Sequence, residues 1–592
     1  LPDTGGWGTC KWARCAELTL SAGEHVLHWE NIKGGGLNLE AYALSNDPAW
    51  VPVGTRLSPA SAGRHCILIQ AESFERYNGK QLSVGGSGAG EKDRFYYREG
   101  DLKPEWAQAP GAEVHIFQTG NCRAFMEIAS IVAVDPRERL VTLGGPELSS
   151  ILHAGDRYFV ENLESECDAP GEWYLNRRTG VLTLVPPAGY SPTAEVMAPT
   201  VGRIVEAIAP EGAAIAGLCF RGLTFRGGDW DGKDGVAGYG MGVNGVVYIE
   251  NGTGCRVEGC AFRNLGKDAV CLKGGRGNHI LRNDITDSAE GGININGSMG
   301  NEIVGNHIHH CGAVYKHNGG VTLHNRAGEN HVAENVIHDM TRYGITMKTA
   351  GHANVIEHNR VLNTSLETYD TGAIEVTQQD RNERSGSVIR YNIVGDSVGY
   401  SSTGEKPCFL SWGIYLDSFA GGYEVTRNIV YRSWNGGIMF QGGKDNTVHN
   451  NIFVDGHAGQ GHISNFAGNQ TGCTFERNIV RFSDPQAILF AHGKLGPEVI
   501  RIDRNVYYCP GTNDLKTGWN KASFADWQKQ GHDVNSIIAD PGFVNPAADD
   551  YALKPDSPAL ALGFEPIDTS RIAKPCGCTI VPLCPVFFAA GQ

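Results

Sequence analysis

The chain has few charged residues, and most of those are acidic. Asp, Glu, Lys and Arg make up 19% of the 592 residues, and the net charge at pH 7 is −15. This balance argues against nucleic acid or an anionic membrane surface as a partner. No apolar run reaches the length needed to span a bilayer, so we expect no membrane insertion. The sequence shows no secretory signal peptide, which fits either an intracellular chain or a mature, processed form, and we expect the latter, secreted or periplasmic.

The cysteines do not form a zinc-ribbon pattern. The chain has 16 of them, without paired CxxC motifs at that spacing. We therefore expect no metal site and no cofactor; Ca²⁺ is possible, but no residue pattern indicates it. Small disulfides are plausible near the termini, among Cys10, Cys15, Cys576, Cys578 and Cys584. A central group is expected to be buried thiols, which act as small hydrophobic side chains: Cys219, Cys255, Cys260, Cys271 and Cys311.

A repeated asparagine is the strongest pattern in the sequence. Segments that read x-x-(Ile/Val/Phe)-x-x-Asn-x-(Ile/Val) recur at intervals of 23 to 36 residues, and Cys260 fills the Asn slot of the first copy. A period in this range indicates a stacked-repeat architecture. The Asn positions are Asn283, Asn306, Asn335, Asn359, Asn392, Asn428, Asn451, Asn478 and Asn505.

The composition of each copy selects the kind of repeat. The copies are rich in Val, Ile, Gly and Asn and poor in helix formers, which predicts an all-β fold, a right-handed parallel β-helix of about ten coils. Strands of successive coils would lie ~4.8 Å apart. We expect each repeat Asn to adopt the left-handed conformation and to hydrogen-bond to the Asn above and below. These asparagines are interpreted as scaffold.

The rest of the chain divides around this solenoid. We predict an N-terminal β fragment over 1–52, of carbohydrate-binding type, and a β-rich, sandwich-like accessory domain over 53–204. The β-helix should occupy 205–512, and a cap over 513–592 should cover its last strand edge.

One strand of each coil can be aligned with its neighbours, from DAVCLK to GGIMFQ. Because alternate residues of a strand face opposite sides, the alignment predicts an apolar inward face and two outward columns. One column contains Cys271, Asn294, Thr322, Thr346, Glu375, Tyr415 and Met439, and the other contains Lys273, Asn296, His324, Lys348, Thr377, Asp417 and Gln441. The two longest repeat intervals fall within 359–428, so long loops should emerge beside this part of the face.

A pair of carboxylates on this face is the predicted catalytic centre. Glu375 and Asp417 lie on neighbouring rungs, offset by two residues, a diagonal for which Cβ atoms are roughly 7–8 Å apart. Two carboxylates at such a range suit glycoside cleavage, one as acid and the other as base or nucleophile. Asp370, just before the strand that carries Glu375, is an alternative member of the pair. The predicted substrate-binding residues are His324, Lys348, Tyr415, Trp412, Gln441 and Trp434.

Several segments resemble a known group of enzymes. GDRYFVENLESECDAPGEWYLNRRTGVLTLVPP (155–187), FRGLTFRGGDWDG, DTGAIEV, WGIYLD and FQGGKDNTVHNNIF resemble β-helical glycoside hydrolases of family 141, and family 120 is a more distant match. The resemblance covers about residues 105–565. It implies a fucosidase- or xylanase-like activity on complex plant or algal glycans, and it implicates Asp417 and an acidic residue of DTGAIEV. Gln441 departs from relatives that carry a His there.

Two other functions are compatible with the sequence. A polysaccharide lyase would use Lys348 or His324 as base, with Arg342 or a cation neutralising a uronate carboxyl. A non-catalytic glycan-binding solenoid would need neither carboxylate. In all three cases the expected partner is an oligo- or polysaccharide.

Overall fold

A computed structural model describes residues 92–573, except 119–125, 146, 154, 192, 194–195, 231–240 and 404–405, together with 17–19, 41–47, 50 and 64–70. Its main body is a right-handed parallel β-helix of eleven coils, which confirms the predicted fold class. Each coil runs through three sheets in turn, named A, B and C here. Among the described residues, no helix is long and apolar enough to cross a membrane.

The three sheets are continuous parallel ladders. Sheet A consists of Val205–Ile208, Val247–Glu250, Val270–Lys273, Ile293–Asn296, Gly319–His324, Tyr343–Lys348, Thr371–Thr377, Ser411–Asp417, Ile438–Gln441, Gly459–Ser464 and Ile488–His492. Sheet B consists of Cys219–Arg221, Arg256–Glu258, His279–Leu281, Glu302–Val304, His331–Ala333, Val355–Glu357, Val388–Arg390, Glu424–Thr426, Thr447–His449, Cys473–Glu476 and Ile500–Asp503. Sheet C consists of Thr224–Arg226, Ala261–Leu265, Asp284–Ser288, His307–Cys311, Val336–His338, Arg360–Thr364, Ile393–Ser397, Ile429–Tyr431, Ile452–Val454, Ile479–Arg481, Val506–Tyr508 and Ile537–Ile538.

The interior of the helix is one apolar core. The predicted inward column of sheet A is buried along its whole length, because every second side chain of a strand points to the same side. It comprises Val270, Ile293, Val321, Ile345, Ile374, Ile414 and Ile438, with Leu272, Ile295, Leu323, Met347, Val376, Leu416 and Phe440 two residues on. Cys255, Cys260, Cys271 and Cys311 are buried free thiols as predicted. The prediction for Cys219 is wrong: it is exposed, because Phe220 takes the inward position of that short strand.

The repeat asparagines form the expected hydrogen-bonded ladder between sheets B and C. The backbone N–H and the side-chain Nδ2 of Asn335 both donate to Oδ1 of Asn359, at 3.0 and 2.9 Å, and Asn359 donates in the same way to Asn392. The same pattern continues to Asn505, whose backbone N–H donates to Ser536. A second ladder, not predicted, follows the corner between sheets A and B through Asn278, Asn301, Asn330 and Asn354.

The prediction that the ladder asparagines adopt the left-handed conformation is wrong. The residue immediately before each of them does so instead, at positive φ: Arg282, Gly305, Glu334, His358, Tyr391, Arg427, Asn450, Arg477 and Arg504. The turn at that preceding residue points the following Asn side chain inward, and the amide then bonds to its neighbours. One residue therefore bends the chain, and the Asn that follows it supplies the amide of the ladder.

Smaller elements flank the helix. The described part of 53–204 holds one five-stranded antiparallel sheet, in the order Arg94–Tyr96, Leu140–Gly144, Met126–Asp135, Glu113–Phe117 and Arg157–Glu161. Two-stranded antiparallel pairs are Ala41–Ser45 with Cys66–Gln70, Trp173–Asn176 with Val181–Leu184, Tyr400–Thr403 with Lys406–Phe409, Lys516–Thr517 with Ala522–Ser523, and Phe543–Asn545 with Asp550–Leu553. Ile215–Ala216 pairs in parallel with Gly252–Thr253. Within the described residues, the 3₁₀ helices are Pro104–Gln108, Glu164–Glu166, Phe466–Gly468 and Pro546–Ala548, and the α-helices are Phe524–Lys529 and Pro558–Ala561.

The two ends of the chain are described only in part. Most of the predicted fragment 1–52 and the terminal cysteines Cys10, Cys15, Cys576, Cys578 and Cys584 lie outside the described residues. Sheet C continues to Ile537–Ile538, inside the region predicted as a cap.

Candidate active site

The outward columns of sheet A have the register that the sequence predicts. Glu375 pairs with Tyr415, and Thr377 pairs with Asp417 on the next rung. Lys348 pairs with Thr377 on the other side, and His324 pairs with Lys348. Glu375 and Asp417 are therefore diagonal neighbours on adjacent strands, as predicted.

The longest repeat intervals also correspond to insertions around these strands. The segment 365–370 precedes Thr371–Thr377, and the segment 378–387 follows it. The hairpin of Tyr400–Thr403 and Lys406–Phe409 precedes Ser411–Asp417. The hairpin and the segment 378–387 therefore border the face that carries the carboxylates, whereas 365–370 is no longer than the corresponding segment 312–318 of an earlier coil.

Glu375 is buried beneath Lys348. Its side chain is 2% exposed, and its Oε1 atom accepts a hydrogen bond from Lys348 Nζ, while its Oε2 atom accepts one from the Gly372 N–H at 3.2 Å. Burial raises the pKa of Glu375, and the adjacent ammonium opposes that rise. For Lys348, burial acts against the charged form, but Glu375, Tyr343 and Asp417 outweigh it and raise the pKa of the ammonium. We read the two as a buried ion pair, with Lys348 the more exposed partner.

Thr377 links this ion pair to Asp417. Lys348 Nζ donates to Thr377 Oγ1 at 2.8 Å, and Thr377 Oγ1 donates to Asp417 Oδ2 at 3.3 Å. The Ser418 hydroxyl donates to the other oxygen of Asp417 at 2.9 Å. Asp417 is thus a partly exposed carboxylate held by two hydroxyl groups. Thr377 was predicted in the correct column but without a role. Its position between Lys348 and Asp417 on the neighbouring rungs was the feature that could have predicted this link.

Asp370 is the second carboxyl group open to this face. It is partly buried and lies in the left-handed conformation at φ 53°, at the end of the segment 365–370. Burial raises the pKa of Asp370 from an ordinary value of 3.8 to about 8, and the charges of Asp417 and Glu375 add to the rise. Asp370 therefore holds its proton to a higher pH than an ordinary aspartate does.

Arg342 supports the segment that ends at Asp370. Its guanidinium is buried, lies over the Tyr343 ring at 4.6 Å, and donates to the backbone carbonyls of Tyr369 at 3.3 Å and Asp370 at 3.0 Å. Arg342 is thus engaged with backbone rather than turned toward solvent. The neutralising role that the lyase alternative gives it would require it to leave these contacts.

His324, the other candidate base of a lyase, is also buried. Its Nε2 atom lies 2.7 Å from Asn294 Oδ1 and 3.1 Å from Asn296 Nδ2. Burial lowers the pKa of His324 to about 4. The ring is therefore neutral and enclosed by two amides of the preceding rung.

Two of the three predicted aromatic contacts lie below the surface. Trp412 is 2% exposed and Tyr415 3%, and their rings pack against each other at 4.6 Å. The Tyr415 hydroxyl donates to Gln441 at 2.7 Å, which fixes that partly exposed amide. Trp434 differs, because it is partly exposed and stacks on Phe409 of the inserted hairpin at 4.2 Å.

A cavity of about 380 Å³ lies elsewhere, at the corner between sheets A and B, and is lined in part by Asn251, Arg276, Met299 and Glu329. It contains none of the candidate residues.

Comparison with known protein families gives one match. A family model described as a right-handed β-helix region matches residues 244–406. The matched segment includes Lys348, Asp370 and Glu375 and ends before Asp417. A comparison with curated proteins finds no significant match.

Solved structures give partial likenesses. A chain described as a glycoside hydrolase is 13% identical, with a TM-score of 0.47, and the match covers 65% of this chain and 69% of that one. The catalytic domain of a GH87 α-1,3-glucanase in complex with tetrasaccharides is 15% identical, with a TM-score of 0.35, over 46% of this chain and 51% of that one. The A-module of the mannuronan C-5 epimerase AlgE4 of Azotobacter vinelandii is 11% identical, with a TM-score of 0.36, over 57% of this chain and 87% of that one.

Proposed function

We propose that the chain is a secreted glycoside hydrolase that cleaves a complex plant or algal polysaccharide, with an activity of the fucosidase or xylosidase/xylanase type. One arrangement carries the proposal: burial and the charge of nearby Asp417 raise the pKa of Asp370 to about 8, and Asp417 accepts hydrogen bonds from two hydroxyls. A proton-bearing acid and a carboxylate on one face are the two groups that glycoside hydrolysis requires. The resemblance of DTGAIEV and WGIYLD to family 141 supports the same two segments.

In this proposal the two carboxyl groups have different roles. Asp370 protonates the glycosidic oxygen as the bond breaks, and Asp417 acts on the anomeric carbon, either directly or through a water molecule. Lys348 binds a sugar hydroxyl and is held in place by Glu375. Glu375 is therefore a positioning residue, because its carboxylate is buried under the ammonium.

The lyase alternative is less well supported by the same contacts. A base must give up its proton before it can accept one, and the ion pair with Glu375 raises the pKa of Lys348. His324 is neutral but buried between Asn294 and Asn296. We therefore place the chemistry on the carboxyl groups.

A substrate screen with matched variants tests the proposal. Aryl fucosides, xylosides, arabinosides and galactosides, together with polysaccharide digests analysed for new reducing ends, should reveal a hydrolysed substrate. Asp370→Asn should lose about 10²–10⁴-fold in kcat on a substrate with a poor leaving group. It should lose far less on a dinitrophenyl glycoside, because that leaving group needs little protonation. Asp417→Asn should lose activity on both substrates.

Asp380→Asn is the control, since Asp380 lies exposed in the neighbouring segment 378–387 and the proposal gives it no role. Full activity of both Asp370→Asn and Asp417→Asn would exclude this site. A product that absorbs in the ultraviolet as an unsaturated uronate would instead identify a lyase. Unchanged oligosaccharide binding in all variants, without hydrolysis, would identify a non-catalytic binding protein.

A further inference from the structure

Four histidines cluster on the outward face of sheet C, on a different sheet from the candidate active site. In the register of three successive rungs, Asp284 pairs with His307, Thr286 with His309, and His309 with His338. The rings of His309 and His338 are stacked at 4.9 Å with an interplanar angle of 2°. His310 and Asp339 complete what we call the histidine cluster: His307, His309, His310 and His338, with Asp284 and Asp339.

A chain of hydrogen bonds fixes the protons of this cluster. Asp339 can only accept, so the 2.7 Å contact with His338 Nδ1 makes that nitrogen a donor. In a neutral His338 ring, Nε2 is then an acceptor, and it receives the Nε2–H of His307 at 2.8 Å. The Nδ1 atom of His307 is left with a lone pair, and it lies 2.9 Å from Oδ1 of Asp284.

A positive charge at this contact, either a second proton on His307 or a metal ion, would make it attractive. Arg263 pairs with the other oxygen of Asp284, Oδ2, and so leaves Oδ1 directed at the histidines. Nε2 of His309 lies 3.9 Å from the same Oδ1 atom.

We propose that Asp284, His307 and His309 form a binding site for a divalent transition-metal ion of the Zn²⁺ class. One ligand atom from each of the three side chains lies within 4.8 Å of the others. Ligand atoms around a tetrahedral Zn²⁺ ion, with bonds of ~2.0–2.1 Å, are roughly 3.3 Å apart. The 2.9 and 3.9 Å separations on either side of Asp284 Oδ1 bracket that distance, so small side-chain movements would complete the site.

The surroundings of the three ligands match those of metal-binding histidines. Such histidines donate their second ring N–H to a neighbouring acceptor, which orients the ring. His307 does so to His338, and the Nδ1 atom of His309 lies 2.7 Å from His310 Nδ1 and 3.1 Å from the Thr286 hydroxyl. Burial lowers the pKa of both ligand histidines, that of His309 to about 4, which keeps their lone pairs available.

The donor set selects the class of ion. Two imidazole nitrogens and one carboxylate oxygen suit Zn²⁺, Cu²⁺ and Ni²⁺, whereas Ca²⁺ and Mg²⁺ prefer oxygen ligands throughout. Because the three ligands come from two successive coils and His338 from a third, a bound ion would join these coils across sheet C. We infer a stabilising role, independent of the carboxyl groups on sheet A.

Zinc titration of the full-length chain tests the site. Chelator-treated protein is titrated with Zn²⁺ in competition with a chromophoric chelator, and Co²⁺ is used as a spectroscopic substitute. We expect Asp284→Asn, His307→Ala and His309→Ala each to weaken zinc binding at least tenfold and to abolish the Co²⁺ absorption bands. Zinc should also raise the Tm of the parent chain but not that of the variants. Circular dichroism before metal addition identifies any variant that fails to fold, and Asp284→Asn changes the shape least.

Two control variants make the assignment specific. His449→Ala breaks an imidazole–carboxylate pair with Glu424 on sheet B, and it should leave zinc affinity unchanged. Among the described residues, Glu113, His115 and Glu161 form another group of three side chains that could bind a metal ion. Glu161→Gln removes one carboxylate from that group and should also leave zinc affinity unchanged. Zinc binding that survives His309→Ala but is lost in Glu161→Gln overturns the proposal. So does equal, millimolar affinity in the parent and in all the variants.

Discussion

Replacing the proposed acid should make the folded protein more stable in mildly alkaline solution. The pKa of Asp370 is raised in the folded state to about 8, whereas an unfolded chain has an aspartate pKa of ~3.9. The folded state therefore binds this proton more tightly. Its contribution to stability is complete below pH ~4 and is lost as the pH rises through about 8. Asp370→Asn removes that loss, because an amide does not titrate in this range.

The size of the effect follows from the shift. A rise from 3.8 to about 8 is about four pKa units, and ~1.4 kcal/mol per unit gives an upper limit of ~6 kcal/mol. Asp370 is partly open to solvent, which screens its charge. We therefore expect about 3 kcal/mol of added stability for Asp370→Asn at pH 8 relative to pH 4.5.

Urea unfolding at the two pH values measures this difference. The parent chain should lose stability between pH 4.5 and pH 8 by about 3 kcal/mol more than Asp370→Asn does. Asp380→Asn removes an exposed carboxylate nearby and should follow the parent at both pH values. If Asp370→Asn and the parent differ by the same amount at pH 4.5 and pH 8, the burial argument for Asp370 is refuted, and with it the choice of Asp370 as the acid.

Three further predictions concern the scaffold. Asn359→Ala leaves two buried donors of Asn335 without an acceptor, which costs ~1–3 kcal/mol of unfolding free energy for each. The urea midpoint of this variant should fall sharply, whereas that of the control Asn513→Ala, at an exposed position, should not. Lys348→Met leaves the Glu375 carboxylate buried and unpaired and should lower the unfolding free energy by ~3–5 kcal/mol. The double variant that adds Glu375→Gln should regain most of this free energy. If it regains none, the ion pair is contradicted. Arg157 donates to the backbone carbonyl of Glu367, so Arg157→Ala should speed amide hydrogen exchange in 365–370; unchanged exchange would show that this contact does not order the segment.

Strand register was the part of the site that the sequence could predict. The period-two alternation of sheet A and the constant position of the ladder Asn set both the inward and the outward columns. The pairing of Glu375 with Tyr415 and of Thr377 with Asp417 therefore followed from alignment alone. The fold class and the insertions within 359–428 came from the same repeat.

Burial could not be predicted in this way. The alignment shows which side of a strand a residue faces but not what covers it, so Glu375, Trp412 and Tyr415 were expected on an open face. The structure places Glu375 under Lys348 and the two rings against each other. The histidine cluster was missed for a different reason. Its members lie a coil apart, in NHIHHC and VIHD, and only the register of sheet C brings them together.

The amide ladder gives the β-helix a direction. The bonds between ladder asparagines all run one way: Asn335 donates its backbone N–H and Nδ2 to Asn359 of the next coil, although Nδ2 also donates back to a carbonyl of the preceding coil. The last Asn must therefore meet an acceptor other than an asparagine. Ser536 and Asp533 are the acceptors, receiving the backbone N–H and the side-chain Nδ2 of Asn505. A coil inserted within the stack would preserve this chain of amides if it carried one Asn, and a deleted coil would leave it continuous. A coil added after the last one would instead meet Ser536 and Asp533, which already accept from Asn505. At its C-terminal end the ladder can therefore be extended only if the acceptors of Asn505 are replaced.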